Sequence, residues 1–369
     1  MRFAFSDQQT EFRDAVRQVL ARECTTDHLR AAYEEPAARS PRWTTLAEMG
    51  VVGLTAPEDH GGLDLGMLDL VLLLEEAGRV ALPEPLLETT AVVVPLLSEL
   101  GGSGDPGVAG GAGGAGGAGV AGVAGGAWLD GIAAGDVAAA VGTISTDSPP
   151  IAGADGADLL VLFTTVEAGD GEAVPEVHLV DSAFVTIRTV ASLDPTRRLG
   201  IPHWTPKGET RLASGATARE AIRRTADRAA LSTGAELLGL TESMITMAAE
   251  YAKERNQFGK PIGGFQAVKH LLAGAQVKLE FARPVVYAAA WALDEGEPHA
   301  SRSVSTAKAY ASDAATEAAR VALQVHGAIG YTWECDLHLF LKRAWALAEA
   351  WGSASEHRQR VLDGLVAGA

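Results

Sequence analysis

The chain has little cysteine, little positive charge and no long apolar run, and each shortage excludes a class of protein. Its two cysteines, Cys24 and Cys335, stand far apart and outside any CxxC or Cys/His spacing, so there is no disulfide framework and no metal site to expect. Lys and Arg number 30 against 47 Asp and Glu, a formal charge of −17. Neutralising phosphates takes clustered cations, so a nucleic-acid partner is not expected. No apolar stretch reaches the roughly 18 uncharged residues of a membrane helix, and the N-terminal MRFAFSDQQTEFRDAVRQVL is amphipathic and acidic instead of basic and then apolar. The expectation is a soluble, unexported, cytoplasmic protein with no membrane partner. At 369 residues the chain exceeds the roughly 250–300 residues at which single cores stop growing, so two or three domains are expected.

What is present changes character along the chain. Over residues 1–101, Phe12, Val16, Val19 and Leu20, then Leu65, Leu68, Val71 and Leu72 ahead of Glu75 and Glu76, recur at helical spacing, and Pro57-Glu58-Asp59-His60-Gly61-Gly62 punctuates two helices. Residues 102–127 are almost only Gly, Ala and Val, with too little side chain to bury, and read as a flexible linker. A phosphate-binding glycine loop would need a Lys and a strand-loop-helix setting that are missing. Over 128–212 the apolar runs shorten, as in Leu159-Leu160-Val161-Leu162-Phe163 and Val177-His178-Leu179-Val180, the pattern of a small β domain. From 218 to 369 a stripe of Leu237, Leu240, Met244, Ala248 and Tyr251 opens a helical bundle, and Ala307, Ala309, Ala311, Ala314, Ala315, Ala318 and Ala319 suit close helix contacts in an oligomer. Helices, then strands, then helices imply an α+β protein with segregated layers.

Two separated motifs carry a resemblance: ERNQFGKPIGGFQAVKHLLA, Glu254 to Ala273, and QVHGAIGYTWE, Gln324 to Glu334. With the N-terminal FSDQQTEFRDAVRQVL and the PEDHGG turn they make the chain resemble, from end to end, the acyl-CoA dehydrogenases. SLDPTRRLG, Ser192 to Gly200, is similar to a version common in short actinobacterial members. The resemblance implies FAD as cofactor, an acyl-CoA substrate, an N-terminal helical domain, a middle β domain and a C-terminal four-helix bundle. It assigns Arg255, Phe258, Gln266, Gln324 and Gly327 to the adenosine diphosphate half of a neighbouring subunit's flavin. An Arg fork and a small residue for close backbone approach suit a pyrophosphate. The second glycine of the latter motif is here Ala328.

The reaction implied is loss of the α-hydrogen as a proton and of the β-hydrogen as hydride to flavin, which needs a carboxylate base in a dry cleft. Counting from Gly327 puts Trp351 at one family position for that base; the other falls at Ala229 and Ala230. Glu349, Asp227 and Glu236 are the nearby acids, and a helical backbone would turn Glu349 about 200° away from the position of Trp351. The flavin-ring motif of the middle domain is missing too, with Thr143 and Ser145 the candidates by composition alone. The chain therefore resembles the catalytically degenerate subunit of bacterial α2β2 heterotetramers, several of them acting in steroid side-chain degradation. Such a subunit lends FAD-binding residues while a second acyl-CoA dehydrogenase-like subunit supplies the catalytic Glu, with electron-transfer flavoprotein as re-oxidant. The other readings are a self-sufficient homotetramer with a relocated base and a non-enzymatic acyl-CoA-binding or scaffold protein.

Overall fold

The computed structural model describes residues 4–35, 40–102, 121–145, 147–167, 171 and 173–367. The helices before the sheet are α1 (Asp7–Glu23), α2 (Thr26–Glu34), α3 (Pro41–Glu48), α4 (Met67–Arg79), α5 (Val94–Gly102) and α6 (Ala121–Ala133). The strands follow as β1 (Ala139–Thr143), β2 (Leu159–Glu167), β3 (Ala173–Asp181), β4 (Thr186–Thr189), β5 (Gly200–His203) and β6 (Arg211–Ser214). The C-terminal helical domain holds α7 (Gly215–Glu254), the hairpin β7 (Asn256–Gln257) and β8 (Lys260–Pro261), α8 (Gln266–Asp294), α9 (Ala300–His326), α10 (Leu337–Glu349) and α11 (Ala354–Ala367). Among the described residues no helix is long and apolar enough to cross a membrane, and no group of three or more His, Cys, Asp or Glu could hold a metal.

Local rules set the ends of these elements. Ser6 caps α1 reciprocally with Gln9: the Gln9 amide donates to Ser6 Oγ at 3.1 Å and the Ser6 amide to Gln9 Oε1 at 2.9 Å, which satisfies two helix-end donors at once. Ser40 caps α3 with Pro41 at its first position, where proline's missing N–H costs nothing. The Gly/Ala-rich stretch departs from expectation at its C-terminal end: Ala121–Ala133 is helix, not linker. Alanine is the best helix former, and Leu129 and Ile132 are buried, so this end has the anchor that the rest of the stretch lacks. The expected linker residues 103–120 lie outside the described residues. The first strand accordingly starts at Ala139, later than the expected 128.

The chain forms two compact units that cut across the sequence segments: Met1–Ala31 with Met67–Leu82 and Ala230–Ala369, and Ala32–Gly66 with Pro83–Ala229. In the first, α4 and α7 cross with backbones in contact. A Cβ on Gly78 would fall 2.0 Å from Glu236 O, and one on Gly239 1.9 Å from Glu75 O. Around the crossing an ionic network centred on two buried carboxylates, Glu75 and Glu76, ties four helices. Arg17 of α1 pairs with Glu76 at 2.6 Å, Arg79 of α4 with Glu242 of α7 at 2.5 Å, and Arg283 of α8 with Glu75 at 3.0 Å and Glu242 at 2.6 Å. The Tyr287 hydroxyl also donates to Glu75. Burial pushes the Glu75 carboxyl up, opposed by Arg283.

In the second unit the sheet runs in the order β1-β2-β3-β6, with β1 parallel to β2 and the other pairs antiparallel. The two apolar runs read from the sequence are β2 and β3, paired with Val161 opposite Leu179 and Phe163 opposite Val177. Ala140, Ile151, Leu160, Leu162 and Val180 form the core on one face.

Candidate cofactor site

The hairpin after α7 is a two-residue turn in which both central residues, Phe258 and Gly259, take positive φ, 53° and 80°. Two-residue hairpins favour that geometry because it matches strand twist, but Phe there costs about 1–2 kcal/mol that Asn or Gly would not. The Phe258 ring is nevertheless 91% exposed, so the strain is not offset by burial within the chain. Phe265 meets it edge-on with centroids 6.1 Å apart and carries Lys260 Nζ 4.3 Å over its own ring. Phe265 stands before α8 with no side-chain cap, which leaves the first amides of α8, at Gln266 onward, as free donors at the positive end of the helix dipole.

Arg255 and Gln266 are exposed. Neither side chain bonds within the chain among the described residues, although the Arg255 backbone is pinned by Tyr251 O at 2.9 Å and by the Ile262 amide at 2.8 Å. Four residues before Arg255, Tyr251 stacks on His326 with centroids 4.5 Å apart and planes at 19°. His326 Nδ1 donates to Ala322 O at 2.8 Å, and burial holds its imidazole below the usual range. His326 ends α9 and Gly327 follows it at φ 64°, so the stack brings the two sequence motifs to one end of the helical body. Gln324 is exposed and Gly327 half-buried, with room for a Cβ. The absence of a side chain at 327 thus serves its left-handed backbone and whatever approaches from outside. A cation fork, uncapped helix amides and an exposed aromatic face form a donor set that fits a diphosphate carrying a flat ring.

The base positions contain no base. Trp351 sits between α10 and α11 at φ 57°, half-buried, and hydrogen bonds hold the main-chain oxygens of its turn. Lys308, fully buried on α9, points Nζ at Leu347 O at 3.1 Å, Ala348 O at 2.9 Å, Gly352 O at 3.1 Å and Ser312 Oγ at 3.0 Å. A cation there complements the negative end of α10. His357 Nε2 donates to Trp351 O at 3.0 Å, while its Nδ1 is buried without a partner. Burial keeps this imidazole below its ordinary value, in the neutral form. Sequence reading missed both residues. The available signal was Lys308 itself, a long cation among Ala307, Ala309 and Ala311 in a helix face otherwise made of small residues.

Ala229 and Ala230 are fully buried in α7. Of the nearby acids, Asp227 is 1% exposed and pairs with Arg223 at 3.0 Å, Glu236 is buried and Glu349 is exposed. The helical offset expected between Glu349 and Trp351 does not apply, because α10 ends at Glu349 and Ala350 is extended at ψ 139°. The carboxylate still faces solvent. Thr143 ends β1 exposed, and Ser145 shares a hydrogen bond with Ser148 at 2.8 Å.

Residues 6–103 match the family described as acyl-CoA dehydrogenase, N-terminal domain, and residues 214–366 match acyl-CoA dehydrogenase, C-terminal domain. Acyl-CoA dehydrogenase IpdE2 of Mycolicibacterium smegmatis is 30% identical over 358 residues, covering 96% of this chain and 98% of that protein. The chain belongs to the acyl-CoA dehydrogenase family. FadE34 of Mycobacterium tuberculosis is 32% identical over 325 residues, 87% of this dehydrogenase-family chain but 41% of FadE34. Among solved structures, the steroid ACAD Tcur3481-Tcur3483 aligns at TM-score 0.80 with 24% identity over 98% of both chains. The ChsE4-ChsE5 complex of Mycobacterium tuberculosis aligns at 0.81 with 22% identity over 99% of both. These two likenesses establish the fold.

Proposed function

We propose that this chain is the cofactor-gripping, non-catalytic subunit of a cytoplasmic α2β2 acyl-CoA dehydrogenase that desaturates a bulky acyl-CoA thioester, a steroid side chain being one such substrate. One contrast carries the reading. Arg255, Phe258, Gln266 and Gln324 are exposed beside the half-buried Gly327, and the Arg255 and Gln266 side chains have no hydrogen-bond partner among the described residues, whereas the base positions hold an indole and two buried methyl groups. The names of the structural neighbours support the assembly and the substrate class, since one is a steroid ACAD of two components and another a complex of two chains.

FAD, when bound, supplies the hydride acceptor. Arg255 would give its diphosphate charge-assisted donors, the open amides of α8 and the Gln266 side chain neutral ones, Phe258 an apolar ring face, and Gly327 close backbone approach. The α-proton must pass to a carboxylate. Trp351 cannot take it, so the partner subunit provides the Glu, and electron-transfer flavoprotein re-oxidises the complex. Purifying the chain alone and co-expressed with a catalytically complete acyl-CoA dehydrogenase-like subunit tests this by flavin absorbance near 450 nm, about where oxidised flavins absorb. Flavin only in the pair supports it, and no flavin in either preparation would favour a non-enzymatic scaffold.

A second reading, a self-sufficient homotetramer with a relocated base, would rest on Asp227, a carboxylate 1% exposed in α7 that Arg223 pairs at 3.0 Å. Yellow protein that acyl-CoA bleaches without a partner, and that Asp227→Asn silences, would establish that reading instead.

A further inference from the structure

Side chains at 176 and 178 of β3 share a face because strand residues alternate, and there they build a buried proton-carrying cluster outside the cofactor site. His178 is 1% exposed. Its Nε2 lies 3.0 Å from Glu176 Oε2 and its Nδ1 3.0 Å from Thr210 Oγ1. Glu176 Oε1 accepts from Arg211 Nη1 at 2.7 Å, and Thr210 Oγ1 also lies 2.9 Å from the main-chain oxygen of Lys207. The Trp204 indole stands edge-on to the imidazole, centroids 5.1 Å apart. The cluster joins β3, β6 and the short turn Gly208–Thr210 beside the β-bulge at Val177 and His178.

Hydrogen counting limits the possibilities. The Thr210 hydroxyl has one proton and two acceptors in reach, and Nε2, facing a carboxylate, must carry a hydrogen. With neutral imidazole, Nδ1 is a lone pair and takes the hydroxyl proton, leaving Lys207 O to the Thr210 amide alone at 3.2 Å. With imidazolium, Nδ1–H donates into the hydroxyl oxygen and the hydroxyl turns its proton to Lys207 O. We infer that His178 is a proton-operated latch: protonation redirects the Thr210 hydroxyl from the imidazole onto the Lys207 carbonyl and tightens the turn that leads into β6 and, at Gly215, into α7.

The charged groups facing His178 are Glu176 from β3 and Arg211 from β6. Strand β2 sets Leu162 opposite His178 and Thr164 opposite Glu176, neither charged. Glu99 of α5 is occupied by Arg224 and Arg228, and Asp130 of α6 by His60. Burial draws the imidazole below the ordinary histidine value while Glu176 opposes, so the neutral arrangement holds near pH 7 and the latch engages on acidification.

Hydrogen–deuterium exchange of the full-length protein in its assembled form, at pH 7.5 and 5.5 and corrected for intrinsic rates, reads the turn directly. Residues 207–211 should exchange about fivefold more slowly at the lower pH, and Thr210→Ser, which keeps a hydroxyl, should preserve that response. Thr210→Val and His178→Gln should abolish it. Equal protection at both pH values in the wild-type protein, or a response that survives in Thr210→Val, overturns the proposal.

Discussion

Arg255 is exposed, fixed through its backbone and unengaged through its side chain, so its removal leaves the chain's own fold nearly untouched. Arg255→Ala should lower FAD retention of the assembled complex by about 1.5–3 kcal/mol, roughly 10- to 150-fold in affinity. Flavin content after gel filtration, with circular dichroism as the folding control, checks it. Unchanged retention would return these motifs to ordinary surface. Trp351 poses the opposite case. A missing general base removes about 10²–10⁴ of rate, yet Trp351→Glu should not give the isolated chain any acyl-CoA-dependent turnover, because the middle domain's candidates for holding a flavin ring are only Thr143, at the exposed end of β1, and Ser145, engaged with Ser148. Dye reduction above background by that variant would contradict the account.

At the scale of elements, the crossing of α4 and α7 at Gly78 and Gly239 leaves no volume for a methyl group against main-chain atoms. Gly239→Ala should destabilise the protein by at least about 1–3 kcal/mol, the usual cost of overpacking, despite alanine's better helix propensity. A urea midpoint equal to or above wild type would show that the helices can part freely. Helical and strand periodicity revealed α1, α4, β2 and β3 because each buries one face or a continuous apolar run. The low-complexity stretch hid α6, since Ala and Gly carry no periodic signal and its two anchors, Leu129 and Ile132, come at the very end. The residues proposed for the cofactor site can be picked out of the sequence because short motifs hold them. Lys308 and His357 were not, because what they do depends on main-chain oxygens of a turn about 40 residues away from Lys308, and nothing local encodes that meeting. The grouping of Met67–Leu82 with Met1–Ala31 and Ala230–Ala369 is likewise a meeting of distant segments that local periodicity does not encode.

Over the whole molecule, four buried imidazoles, His178, His326, His338 and His357, are all held below the ordinary histidine value, with desolvation the largest cause at each. A depressed folded pKa favours the neutral ring in the native state, while the unfolded chain takes up protons near pH 6.5. That stability is present above about pH 6.5 and falls as pH drops below it, by up to about 1.4 kcal/mol for each unit of depression. Urea midpoints should therefore fall between pH 7.5 and 5.5, and a midpoint that rises on acidification would contradict the burial of these rings. The exposed triad Glu220, Arg223 and Arg224 of α7 acts lower on the scale: Arg223 and then Arg224 hold Glu220 down to about 2, so its contribution is lost only as pH falls from about 4.5 toward 2. Division of labour between two chains is read by acyl-CoA-dependent reduction of a dye by the isolated chain, by the co-expressed pair, and by the pair carrying Arg255→Ala in this chain. The expected result is no turnover by the chain alone, turnover by the pair, and a loss in the variant pair that added FAD partly restores; robust turnover by the isolated wild-type chain would contradict it and point to Asp227, Glu236 or Glu349 as the base.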